Sequence, residues 1–135
     1  MNITLVSSCI LIKKNKFLTT ERPGAKPFAH YWEFPGGKLE GTESFYDAII
    51  RELYEELDIR VKKENLNIID NISHSYKRNH IIVMAVFVLK KWSGAIRSKE
   101  SQQMKWLTGS ELKKLRFLEG SKIILEKINS NLYNF

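Results

Sequence analysis

The stretch 44–57 holds neither glycine nor proline, and β-branched, extended runs lie on both sides of it. A helix set among strands must bury its apolar stripe against a sheet, so this one segment steers the chain toward an α/β fold. Ser44 is the expected N-cap, with Asp47 three residues on in the capping-box position. Upstream, residues 3–12 and 17–21 read as a hairpin joined by the polar turn Lys13-Lys14-Asn15-Lys16. All three prolines, with Gly24, Gly36 and Gly37, crowd into residues 22–37, an irregular stretch enclosing one short extended piece at 31–34. Downstream, residues 68–76 and 80–91 read as a second hairpin turning at Lys77-Arg78-Asn79, and 104–108 as a further strand. Residues 112–117 read as one helical turn or two, and 121–132 as a closing helix through Ile124, Leu125, Ile128 and Leu132. The expected architecture is a mixed β-sheet with helices on both faces.

A chain of 135 residues accommodates one compact domain, expected to span 1–135. Lone Cys9 excludes an intramolecular disulfide and fits a reducing, cytoplasmic setting. The longest apolar run, 81–89, falls far short of the roughly 20 residues of a membrane helix. The opening MNITLVSSCILIKK carries its lysines after its apolar residues and so does not read as a signal peptide. Membrane, secreted and disordered classes are thereby set aside. Twenty-two Lys and Arg against 15 Asp and Glu leave a net charge of +7, which favours polyanionic partners such as nucleotides, phosphorylated metabolites or nucleic acid. The basic residues are scattered in short pairs, without an arginine-rich helix or zinc-ligand spacing, so no stable nucleic-acid complex is expected.

The helix carries the most informative side chains. At about 100° per residue, Glu52, Glu55 and Glu56 share an arc beside the apolar arc of Ile49, Ile50, Leu53 and Leu57. Like charges at this spacing cost a few tenths of a kcal/mol per pair. Arg51 can compensate Glu55, and no cation is placed to neutralise the other two. A hard divalent cation would do so, because Mg²⁺ takes oxygen ligands and keeps several waters. Just before the helix, Gly36-Gly37 lets bare backbone approach a metal or phosphate closely.

Residues 37–59, GKLEGTESFYDAIIRELYEELDI, resemble the Nudix box, G-x5-E-x7-R-E-U-x-E-E-x-G-U with U a bulky apolar residue. Gly37, Glu43, Arg51, Glu52, Leu53, Glu55, Glu56 and Ile59 match in register. Asp58 stands where the box has glycine; it is expected to end the helix in the left-handed region at a cost of roughly 1 kcal/mol or less. The preceding Trp32-Glu33-Phe34-Pro35-Gly36-Gly37-Lys38 is similar to the corresponding stretch of MutT-type nucleoside triphosphate diphosphatases. The likeness implies the family's α/β/α sandwich, and it is dense over 31–59 and thin after 92.

Carried over by position, the resemblance implies that Gly36, through its carbonyl, and Glu52, Glu55 and Glu56 hold Mg²⁺, with Mn²⁺ able to substitute. Glu52 takes the proton from the attacking water and Arg51 pairs with it. Glu43 is structural. Glu100, in the loop after the central strands, is the natural further acid of the catalytic and metal site. Arg22, Gly37 and Lys38 are expected at the phosphates, and Phe34 and first-strand residues such as Leu5 at the base. No asparagine occurs at 117–121, near the C-terminal helix, where MutT-type enzymes read oxidised guanine partly through one. Ser121 or Asn79 then substitutes, or the preferred base differs. His30, His74 and His80 lack metal-ligand spacing and are expected to pack or cap locally. Trp92 and Trp106 read as core or sheet-edge aromatics.

The resemblance implies Mg²⁺-dependent hydrolysis of a nucleoside triphosphate, with 8-oxo-dGTP among the candidates, to a monophosphate and pyrophosphate. Nucleotide-pool sanitation would be the role, by a monomer or homodimer. The rival readings are a Nudix hydrolase of CTP-like or dinucleoside polyphosphate substrates, and a non-catalytic Nudix-like nucleotide- or nucleic-acid-binding module.

Overall fold

The computed structural model describes residues 1–100 and 102–135. Its strands are β1 (Asn2–Lys13), β2 (Lys16–Glu21), β3 (Trp32–Glu33), β4 (Gly36–Lys38), β5 (Leu66–Lys77), β6 (His80–Leu89) and β7 (Met104–Leu107). Its helices are α1 (Phe45–Leu57), α2 (Gly109–Leu112) and α3 (Glu119–Asn129), with a 3-10 turn at Lys63–Asn65. The sheet runs β3-β2-β1-β6-β5, with β4 also paired to β1 and β7 to β2. β1 and β6 are parallel in continuous register from Asn2↔His80 to Leu11↔Leu89. The other strand pairs are antiparallel, so the sheet is mixed.

Period-two alternation divides the core between two faces. Cys9, Leu11, Ala85, Phe87 and Leu89 pack with Ile49, Leu53 and Leu57 of α1. Ile10, Val86 and Val88 pack on the other face with Ile124, Leu125 and Ile128 of α3. β6 is apolar on both faces because helices cover both, the condition under which a strand reads as an unbroken hydrophobic run. Burial pushes the Cys9 thiol far up, which keeps it an inert core residue. Trp92 and Trp106 stack with centroids 6.2 Å apart beside the α1 core.

Local chemistry set the elements that the sequence reading anticipated. Lys14 and Asn15 both adopt the left-handed region, as a two-residue hairpin turn demands. At the start of α1, Ser44 Oγ accepts the Asp47 amide at 3.0 Å and Asp47 Oδ2 accepts the Ser44 amide at 3.1 Å. Asp58 ends the helix in the left-handed region at φ 62°.

Three elements differ from expectation. The closing helix, expected over 121–132, ends at Asn129, because Asn131 turns into the left-handed region, and Leu132 lies beyond it, exposed. The expected helix at 112–117 is a four-residue helix that starts earlier, because Thr108 and Glu111 form a reciprocal capping box. It stops at Leu112, and after a turn in which Leu115 donates to Leu112 O, 116–118 run alongside β3: Trp32 donates to Arg116 O at 2.8 Å, and Leu118 donates to Trp32 O at 3.0 Å. β4 was not anticipated at all. It lies so close on β1 that a methyl group on Gly36 would overlap the Ser7 carbonyl oxygen and sit 2.9 Å from Ser8 Cα.

Candidate active site

Four parts of the chain meet at one cleft of about 330 Å³. α1 contributes Glu52, Glu55 and Glu56; the β3–β4 segment contributes Glu33, Gly36, Gly37 and Lys38. The end of β2 and the loop after it bring Arg22 and Lys26, and the segment before β7 brings Glu100 and Gln102. Of the residues expected at the site, Arg22, Gly36, Gly37, Lys38, Glu52, Glu55, Glu56 and Glu100 are thus brought together.

Arg51 organises the acidic wall from behind. Its Nε and Nη2 donate to the two Glu43 oxygens at 2.7 and 2.9 Å, and Nη2 also reaches Lys38 O at 3.0 Å. Its Nη1 donates to Glu52 Oε1 at 2.9 Å and Glu55 Oε2 at 3.2 Å. One guanidinium therefore neutralises Glu52 as well as Glu55, where the helix spacing had offered it Glu55 alone. The Arg51 hydrogen bond, with the Glu40 amide, holds the Glu43 carboxyl below its usual range. Glu43 Oε1 accepts that amide at 2.8 Å, so Glu43 fixes the turn before α1.

Among the described residues Glu56 has no such partner. Burial pushes its carboxyl well above the usual range, and hydrogen bonding and charge from Glu52 push the same way, followed by the charges of Glu33 and Glu100. Glu33 is also raised by burial, against the opposing charge and hydrogen bond of Arg22. Arg22 Nη1 lies 3.3 and 3.2 Å from the two Glu33 oxygens, and its Nε donates to Pro27 O at 2.9 Å. Lys26 Nζ sits 3.8 Å from Glu100.

The donor set suits a hard divalent cation. It consists of oxygen atoms, and it includes a desolvated carboxyl whose ionisation lacks a counter-charge. Among the described residues no three acidic, His or Cys side chains stand close enough together to hold a metal ion by themselves. An ion here would complete its shell with backbone carbonyl, water and ligand oxygens, as Mg²⁺ sites do.

Gly37 shapes the wall directly: a methyl group there would lie within 2.5 Å of Glu52 Cδ. The Glu52 carboxylate therefore rests against bare backbone.

Phe34 and Asn79 are not brought to the cleft. Phe34 is 2% exposed and stacks on Phe117 at 5.7 Å, because its position in β3–β4 alternates with Glu33 and faces the α3 core. Asn79 occupies the β5–β6 turn with its carbonyl accepting the Asn2 amide, about 20 Å along β1 from the Gly36 pairing at Ser8. Ser121 Oγ is buried and accepts the Phe34 amide at 3.1 Å. Leu5 is exposed at 41%. None of the three histidines lines the cleft.

Sequence reading missed Glu33, Lys26 and Gln102. Glu33 was recoverable from the Trp32–Phe34 alternation, which sends Glu33 to the opposite face. A larger groove of about 650 Å³, bounded by Tyr31, Arg116 and Lys122 on the outer side of α3, holds no comparable set of carboxylates.

The NUDIX domain family model matches residues 3–128. An 8-oxo-dGTP diphosphatase of Buchnera aphidicola subsp. Schizaphis graminum is 30% identical over 133 residues, covering 98% of each chain. A CTP pyrophosphohydrolase of Escherichia coli is 30% identical over 114 residues, covering 82% of this chain and 80% of that protein. Among solved structures, the solution structure of the E. coli ORF135 protein is similar with a TM-score of 0.82 and 26% identity, over 96% of this chain and 91% of that one. The MutT NUDIX hydrolase of Burkholderia pseudomallei shares the fold with a TM-score of 0.82 at 22% identity, over 95% and 99% of the two chains.

Proposed function

The chain belongs to the NUDIX family, and from that premise we propose that this Nudix hydrolase cleaves a nucleoside triphosphate to the monophosphate and pyrophosphate, with Mg²⁺ as cofactor and Mn²⁺ able to replace it. One observation carries the reading: the acids of α1 share a single cleft with Arg22, Lys26 and Lys38, so cation-holding and phosphate-holding groups lie side by side.

Glu52, Glu55, Glu56 and Glu100, with the Gly36 carbonyl, would hold the divalent ion, which supplies charge neutralisation, phosphate polarisation and water activation when bound. Glu52 accepts a proton from the attacking water at a carboxylate oxygen. That water's oxygen bonds to one of the two phosphorus atoms flanking the α–β bridging oxygen, and the bond from that phosphorus to the bridging oxygen breaks, leaving a monophosphate and pyrophosphate. Arg51 Nη1 fixes the orientation of the Glu52 carboxylate during this transfer. Arg22, Lys26 and Lys38 bind the polyphosphate, the first exchanging Glu33 for a phosphate oxygen.

Gly37→Ala tests the support of Glu52. The added methyl group must displace the carboxylate by on the order of 1 Å, and kcat should fall about 100-fold. Circular dichroism should show an unchanged fold.

Oxidised guanine is the leading base, on the strength of the 8-oxo-dGTP diphosphatases among the relatives. A pyrimidine triphosphate is the second reading, favoured by the CTP pyrophosphohydrolase relative and by the absence of asparagine at 117–121. A panel of ordinary and oxidised nucleoside triphosphates with Mg²⁺, scored by pyrophosphate release, separates them. We expect a clear preference for one base, by a single-domain monomer or homodimer acting in the cytoplasm. Equal slow cleavage of every triphosphate would overturn the sanitation role. Cleavage of dinucleoside polyphosphates into unequal nucleotides, with no pyrophosphate released from triphosphates, would overturn the reaction.

A further inference from the structure

Asp58 occupies the one position of the motif where this chain departs from the glycine of the box. Glycine would end α1 in the left-handed region with less strain than aspartate, so helix termination does not account for the side chain. What aspartate adds is a carboxylate, and that carboxylate is fully engaged. Its Oδ2 accepts from Arg97 Nε at 2.8 Å, and its Oδ1 lies 3.5 Å from Lys99 Nζ.

The same segment is bonded to the helix end by its backbone. Arg97 donates its amide to Leu57 O at 3.0 Å, and Lys99 donates its amide to Glu56 O at 3.0 Å. Those two carbonyls belong to the last turn of α1, which has no basic residue of its own. Arg97 and Lys99 therefore supply both the missing donors and the positive charge that a helix C-terminus favours. Lys99 Nζ also sits 4.2 Å from the Tyr54 ring centroid. The next residue is Glu100, which reaches the cleft beside Glu56.

We propose that Asp58 is a positioning residue: by clamping Arg97 and Lys99 to the end of α1, it sets where Glu100 enters the cleft. The clamp is a local device of this chain, because a glycine at that position has no group to offer either cation. The inference rests on the reading of Glu100 as a ligand of the divalent ion.

Asp58→Gly and Asp58→Asn test it, since both residues accept a left-handed cap and neither carries the charge. In metal-free protein, amide hydrogen exchange of Arg97 and Lys99 should speed up about 3- to 10-fold in both variants, while the interior amides of α1 stay as protected as before. Mn²⁺ affinity, read by electron paramagnetic resonance, should weaken by a similar factor. Glu100→Gln should weaken Mn²⁺ on its own, and adding Asp58→Asn to it should change the affinity no further. Unchanged exchange at Arg97 and Lys99, or a full Asp58→Asn effect on Mn²⁺ in the Glu100→Gln background, overturns the proposal. A wild-type protein that binds no Mn²⁺ would instead sink the hydrolase reading, and the exchange measurement would still decide the clamp.

Discussion

Glu52→Gln should lower turnover by about three orders of magnitude while the protein stays folded. The amide keeps the volume of the carboxyl, and its oxygen can still accept from Arg51 Nη1, which the native side chain does at 2.9 Å. On the proposed mechanism, what disappears is the basic oxygen that would receive the water's proton and one negative charge of the wall that would hold the ion. Removing that charge also relieves Glu56, whose carboxyl is held up by burial and then by Glu52. The variant's melting temperature in chelator should therefore equal or exceed that of the wild type. Pyrophosphate release under saturating substrate, paired with a thermal melt, checks both halves. Activity within tenfold of wild type would remove Glu52 from the mechanism.

Chelating divalent ions should abolish turnover outright, and the loss should have a stability counterpart that depends on pH. A carboxyl raised in the folded state contributes stability that is present below the ordinary carboxylate range and is lost as pH rises through its folded value. Glu56 is such a group, raised by burial first. Metal-free protein should thus lose stability as pH climbs through that window. Because the ion displaces the proton, its affinity should strengthen over the same window. At a free ion concentration of about 100 times Kd the stabilisation is about 2.7 kcal/mol. For a domain of this length that is about 10 °C in melting temperature. Melts in EDTA and in Mn²⁺ between about pH 5 and 8 should diverge as pH rises. Curves that superimpose at the alkaline end would leave the acidic wall without a cation to hold.

The parts of the fold legible in the sequence are those fixed by near neighbours. Ser44 and Asp47 are three residues apart, Lys14 and Asn15 adjacent, and the Glu52, Glu55 and Glu56 arc spans about one helical turn. Each could be read without knowing what lay across the sheet. β4 could not, because Gly36-Gly37-Lys38 has no side-chain pattern and becomes a strand only through β1. The unwinding after Leu112 has the same origin: Phe117 bridges to Trp32, a partner far away in the sequence. At the site, the helix acids and Arg22 followed from the motif and its flanks. The expected placement of Phe34 and Asn79 at the cleft did not follow, since one turns into the α3 core and the other sits at the far end of β1. Glu43 illustrates the intermediate case: its structural role followed from the box, but its bidentate hold on Arg51 depends on how the turn before α1 folds back onto the helix.

The parallel register of β1 and β6 also has a consequence for how the molecule is made. β1 is made before β6, so the chain must extend to Leu89 before its long ladder can close. Until then β1 can draw only on local partners, the hairpin with β2 and the short β4. Such distant closure slows folding and leaves an apolar edge open during synthesis. Nascent chains cut short of Leu89 should therefore be the ones that chaperones retain.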